Sequence, residues 1–184
     1  GPMPLVEMFF DINQVLNNRA GKNLTAVDAT DICNLIGKTV VAGNVRRSAE
    51  LALGSSDNQD FIKMKQDKEK LYHHRWASNN SVAINSKFKD YDPIADGILH
   101  NGEPGVVNLE LSRNYGRIVD GYQPGIDNEV EGTNPCGEIS LSNGEPCNLF
   151  EVFPFIAEKQ GWDLIEAFAL AARYTKRVTF SHYD

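Results

Sequence analysis

One five-residue stretch, Asn134-Pro135-Cys136-Gly137-Glu138, carries the groups of a reactive centre. An amide, a thiol and a carboxylate occupy alternate positions there, where an extended or tightly looped backbone can turn all three side chains to one side. A second thiol, Cys147, follows past the turn signal Ser142-Asn143-Gly144, so the chain can fold back toward Cys136. A free cysteine is most often a small buried hydrophobe, and that reading applies to both. Their neighbours argue for more: Pro135 and Gly137 flank Cys136, while Gly144 and Pro146 precede Cys147, so neither belongs to an apolar periodic run. A zinc site is not indicated, because neither C-x-x-C nor H-x-x-x-H spacing occurs.

The motif Asn134-x-Cys136-x-Glu138, in the form NPCGE, resembles the finger loop of ribonucleotide reductases, and its Pro-Gly version resembles the adenosylcobalamin-dependent (class II) branch. Four longer phrases are similar to the monomeric ribonucleoside-triphosphate reductases of that branch. They are VVAGNVRRSAEL (Val40 to Leu51), HHRWASNNSVAI (His73 to Ile84), GEPGVVNLELSRNYGR (Gly102 to Arg117) and CNLFEVFPFIAEKQGWD (Cys147 to Asp163). The resemblance spans essentially all 184 residues. It implies one fragment, 1–184, of a ten-stranded α/β barrel, with the finger loop, 132–147, threaded through its centre.

The resemblance also implies roles. Cys136 would carry a thiyl radical that removes the ribose 3′-hydrogen, Glu138 would act as base on the 3′-hydroxyl, and Asn134 would hold the ribose hydroxyls. Cys147 would be one of two reducing thiols, its partner lying on an upstream strand outside this chain. The stretch Gly43-Asn44-Val45-Arg46-Arg47-Ser48 matches the loop that links a bound deoxynucleotide effector to the substrate base. Planar, multi-donor guanidinium groups suit that contact, although two adjacent arginines are also an ordinary solvated pair. Adenosylcobalamin, a ribonucleoside triphosphate and a thioredoxin-type reductant follow from the resemblance alone. Two other readings stay open: a non-catalytic nucleotide-binding or redox module with a Cys136–Cys147 disulfide, and a class I reductase large-subunit fragment, whose finger loop usually lacks the Pro-Gly form.

Composition bounds these readings. A length of 184 residues suits one domain, whereas catalytic chains of the resembling family are several times longer. An internal fragment explains both ends, and Gly1-Pro2 also fits a protease scar. With 18 basic and 25 acidic residues the net charge is −7 and the cations are scattered, which does not suggest a nucleic-acid or anionic-membrane surface. No apolar run approaches the ~20 residues of a membrane span. Three cysteines without secretory features fit a reducing cytosol, so a cytoplasmic protein is expected.

The elements that must position these groups read as α/β. Apolar spacing predicts helices over Pro4 to Ala20 and from Thr25, with Thr25 and Asp28 as a capping pair and Ala29, Ile32, Cys33, Ile36 and Val40 as a buried face. Cys33 is therefore assigned to the core. Ala49 to Leu53, Ser81 to Ile84 and Gly105 to Leu109 read as strands, Gln59 to Lys70 as a surface helix, and Asp92 to Gly102 as a short helix. His73-His74 carries no carboxylate at ligand spacing, so no metal is assigned to it. A long polar loop leads to Cys136, and Asp163 with Glu166 caps a last helix with Leu164, Ile165, Phe168, Ala171 and Ala172 on its apolar side.

Overall fold

The computed structural model describes residues 1–45, 47–116 and 121–181, and the chain divides into two compact units, Gly1–Ser140 and Leu141–Asp184. The first unit opens with helices α1 (Met3–Asn18) and α2 (Ala26–Val41). The predicted cap of α2 is present in both directions: Thr25 Oγ1 accepts from the Asp28 N–H at 3.2 Å, and Asp28 Oδ2 accepts from the Thr25 N–H at 2.8 Å. Arg19 Nε, on the turn after α1, donates to the same Asp28 oxygen at 2.6 Å. Burial raises the Asp28 carboxyl, but the Thr25 bonds and the Arg19 charge outweigh it and leave the group below its ordinary range.

A three-stranded parallel sheet follows, β1 (Glu50–Ser55), β2 (Ser78–Ile84) and β3 (Gly105–Asn108), in sequential order. Leu51 lies opposite Asn79 and Ser81 opposite Gly105. Between β1 and β2 the chain forms α3 (Gln59–Lys63), a 3₁₀ turn at Met64–Gln66 and α4 (Lys68–His73). The single surface helix predicted for this stretch is thus broken, because the Asp67 side chain caps a new helix by accepting from the Lys70 N–H at 3.1 Å. Its apolar residues are not at the surface either: Phe61, Ile62 and Met64 join Val82, Ile84 and Ile94 in the core on one face of the sheet. Gly54 permits this packing, since a Cβ there would overlap the Phe61 ring. Fully burying each such side chain contributes roughly 1.5–3 kcal/mol.

Helix α5 (Asp92–Asn101), between β2 and β3, carries Pro93 in its first turn and stops at Gly102 (φ +84°), as the Pro-first, Gly-last pattern predicts. The Asn108 side chain then caps α6 (Leu109–Tyr115), a helix the sequence reading did not anticipate. The stretch read as one long polar loop contains β4 (Val130–Thr133), which pairs with β5 (Ser140–Ser142), the strand at which the first unit ends. The second unit holds α7 (Pro154–Lys159) and α8 (Leu164–Phe180), with Asp163 capping α8 through the Glu166 N–H at 3.1 Å. Among the described residues no helix is long and apolar enough to cross a membrane.

The buried face of α2 is not the apolar one. Thr30, Asp31, Asn34 and Leu35 point inward, while Ala29, Cys33, Ile36 and Val40 are exposed. The assignment of Cys33 to the core is therefore corrected. The cause is a buried ion pair: Arg75, 3% exposed, donates from Nε and Nη2 to the two oxygens of Asp31, 4% exposed, at 2.6 and 2.7 Å. Arg75 Nη1 also donates to the Met64 carbonyl, and His74 Nε2 lies 2.9 Å from Asp31 Oδ1. Burial pushes the Asp31 carboxyl up, but Arg75 and His74 outweigh it and hold the group at about 2, against an ordinary 3.8.

Breaking a buried pair from one side costs about 3–5 kcal/mol, so Arg75→Met should lower the unfolding free energy read from urea denaturation by that much and move the midpoint down with it, whereas an exposed-surface change should not. A midpoint within error of the wild type would remove the pair's role. The depressed carboxyl pKa adds stability that is fully present above pH 3.8 and is lost as pH falls through about 2, worth about 2 kcal/mol at 1.36 kcal/mol per unit. Stability measured from pH 5 down to 2 should therefore fall less steeply in Asp31→Asn than in the wild type.

Candidate functional site

Asn134 builds the hairpin that carries the motif. Its side chain is buried, 3% exposed, and its Oδ1 accepts from the Ile139 N–H at 3.1 Å, while its own N–H donates to the Ile139 carbonyl at 3.1 Å. Its carbonyl accepts from the Gly137 N–H at 3.0 Å, which closes a β-turn with Pro135 and Cys136 in the middle. Pro135 presets the first central residue of that turn, and Gly137 adopts φ +83°, a conformation that disfavours any side chain. Cys136 consequently lies at an exposed turn and not in a helix.

The three motif side chains do not share one environment. Cys136 and Glu138 are exposed on the turn, whereas Asn134 is buried at its base and uses its amide oxygen to hold the hairpin shut. Cys136, with Pro135 and Gly137, walls a cavity of about 240 Å³ whose other side is the sheet, through Leu51, Asn79, Ser81, Gly105 and Val107. That is below the ~300–1,000 Å³ of pockets that enclose drug-sized ligands, and it suits a sugar-sized group. Glu138 is not among the lining residues.

Two polar groups at this cavity escaped the sequence reading. Asn79 Nδ2 donates to the Pro135 carbonyl at 2.8 Å, tying the turn to β2. Glu103, also on the cavity wall, is paired with the buried Lys65, whose ammonium further donates to the Ser78 carbonyl. A lysine that is 6% exposed cannot be told from a solvated one in a polar stretch such as Lys63 to Lys70. The spacing of Asn79 likewise gives no sign of a partner 56 positions on.

Of the effector-loop candidates, Gly43, Asn44 and Val45 follow the end of α2 in a turn, Asn44 at φ +52°. Arg47 Nη1 donates to Asn44 Oδ1 at 3.2 Å, Ser48 precedes β1, and Arg46 lies outside the described residues. Cys147 is half-buried in the second unit. Cys33 opens instead into an apolar cavity of about 470 Å³ with Ile36, Leu51 and Glu50. Among the described residues no group of three or more His, Cys, Asp or Glu side chains is arranged to hold a metal ion.

Thiol reactivity separates the first unit's two cysteines. Partial burial and then the Glu50 charge push the Cys33 thiol up, and only the thiolate is nucleophilic. At pH 7.5 iodoacetamide should therefore label Cys136 faster than Cys33, read by mass spectrometry of the two peptides. Faster labelling of Cys33 would contradict this electrostatic reading.

No family model matches the chain. Over all 184 residues it is 89% identical to an adenosylcobalamin-dependent ribonucleoside-triphosphate reductase of Lactobacillus helveticus, 79% to that of Lactobacillus leichmannii and 72% to that of Lacticaseibacillus paracasei. In each case it spans 25% of the relative's length. A crystal structure of a B12-dependent (class II) ribonucleotide reductase superimposes with a TM-score of 0.85 at 76% identity, covering 98% of this chain and 25% of that one. The chain thus belongs, as a segment about a quarter of their length, to the adenosylcobalamin-dependent (class II) ribonucleotide reductase family.

Proposed function

We propose that the protein of which this segment is part reduces ribonucleoside triphosphates to 2′-deoxyribonucleotides, with the Cys136 turn as its reacting centre. The observation that carries this reading is geometric: a thiol held at a turn tip against a small cavity lined by all three strands of a parallel sheet. The identity of the whole chain to reductases by name supports it. The ten-stranded barrel is part of the same proposal, supported by three parallel strands in sequential order, as one stretch of such a wall would have.

Replacing the 2′-hydroxyl by hydrogen is hard because hydroxide leaves poorly from an unactivated carbon. A Cys136 thiyl radical would remove the 3′-hydrogen atom. Glu138 would take the 3′-hydroxyl proton and later return it, and two thiols, Cys147 and a partner outside this chain, would give one hydrogen as the proton with which the 2′-hydroxyl leaves as water and the other to C2′ in its place, ending as a disulfide. Cys136 would then return its hydrogen to C3′. A carboxylate suits the base role because proton transfer by a positioned group is worth ~10²–10⁴-fold. Asn134 enters through the hairpin it closes, which sets where the thiol sits.

Adenosylcobalamin stands in the names of the relatives. The cavity at Cys136, about 240 Å³, does not hold a corrinoid, so no residue is assigned to the cofactor. Removal of the hydrogen atom from Cys136 thus lies beyond the residues described. The effector loop, 43–48, and a thioredoxin-type reductant complete the proposal.

In the full-length enzyme, Cys136→Ser should abolish reduction while nucleotide binding persists. Glu138→Gln should slow the chemical step by ~10²–10⁴-fold in single-turnover kinetics. Substantial turnover by Cys136→Ser would overturn the reading, and an unchanged chemical rate with weaker binding would make Glu138 a substrate anchor.

A further inference from the structure

The hairpin is fastened at its base by bonds within itself, through Asn134 and Ile139. Its tip is fastened differently. Pro135 has no N–H, and its carbonyl accepts from Asn79 Nδ2 at 2.8 Å, a bond that reaches from the sheet to the turn. That carbonyl belongs to the rigid peptide unit that ends at the Cys136 Cα. Fixing its oxygen fixes the plane that ends at the Cys136 Cα and so restrains where that side chain starts. Asn79 and Cys136 also wall the same cavity, Asn79 from β2 opposite Leu51 of β1.

We propose that Asn79 is a positioning residue for Cys136, its side-chain amide holding the turn so that the thiol faces the cavity. The inference rests on the reading of Cys136 as the reacting thiol. An acceptor at position 79 would repel the Pro135 carbonyl, and a side chain without an amide would release it. Reaction rates fall steeply with small displacements, ~10²-fold for about 1 Å, while nucleotide held elsewhere is unaffected. Asn79 is exposed, so its replacement leaves the core intact.

The test uses the full-length holoenzyme with ATP as the ribonucleoside triphosphate, in the variants Asn79→Asp, Asn79→Ala and Asn79→Gln. The first two should lose about 10–100-fold in kcat with KM for ATP and the melting temperature unchanged, and Asn79→Gln, which keeps the amide, should recover part of the loss. Independently of turnover, iodoacetamide labelling of Cys136 should change rate in Asn79→Asp and Asn79→Ala and return toward the wild type in Asn79→Gln. Wild-type kcat and labelling in both variants would overturn the proposal. So would a raised KM at constant kcat, which would make Asn79 a nucleotide contact, or a lowered melting temperature in both, which would make it a structural tie. Turnover by Cys136→Ser would instead sink the underlying reading and leave the labelling result standing.

Discussion

A guanidinium that is 3% exposed must use its donors inside the protein, because a buried charge without full hydrogen bonding is strongly destabilising. Arg75 does so by joining its own segment to two others, through both oxygens of Asp31 on α2 and through the Met64 carbonyl in the core segment that follows β1. The bidentate geometry fixes orientation as well as distance. It turns the polar side of α2 inward and leaves the stripe of Cys33, Ile36 and Val40 outward. Arg75 also lies three residues before β2 begins at Ser78, so the pair helps set where that strand enters the sheet.

The site depends on that entry point. Asn79, the second residue of β2, lies opposite Leu51 and reaches the Pro135 carbonyl. The hairpin supplies the other half of the geometry, with a buried asparagine closing its base and a proline and a glycine shaping its tip. Sheet and hairpin together leave Cys136 exposed yet walled on one side. A thiol in such a place is available for chemistry, while Cys33, whose thiol is pushed up beside Glu50, is less so.

Local signals in the sequence were legible where local physics decides. The Thr25–Asp28 cap, the Asp92-Pro93 start and Gly102 stop of α5, and the Cys136 turn all follow from backbone preferences of a few residues. The motif phrases identified the family because they are long and specific. What the sequence hid depends on distant partners. The apolar stripe of α2 suggested a core face, but Asp31 finds Arg75 44 positions away and reverses the helix. Phe61, Ile62 and Met64 looked like one side of a surface helix until the cap at Asp67 broke it and the sheet covered them. For Asn134 the sequence suggested a substrate contact and gave no sign that its amide oxygen also closes its own loop.

That the reaction assigned to the Cys136 turn begins with removal of hydrogen from C3′ of the sugar is most directly tested by isotopic substitution at that carbon. Turnover of a ribonucleoside triphosphate carrying deuterium at C3′ would be compared with turnover of the unlabelled nucleotide in the full-length holoenzyme under single-turnover conditions. The expected result is a slower reaction with the C3′-deuterated nucleotide and an unchanged rate when deuterium is placed at C4′. Equal rates for the C3′-deuterated and unlabelled nucleotides, with chemistry shown to limit the observed step, would contradict hydrogen removal at C3′ and with it the role of the turn.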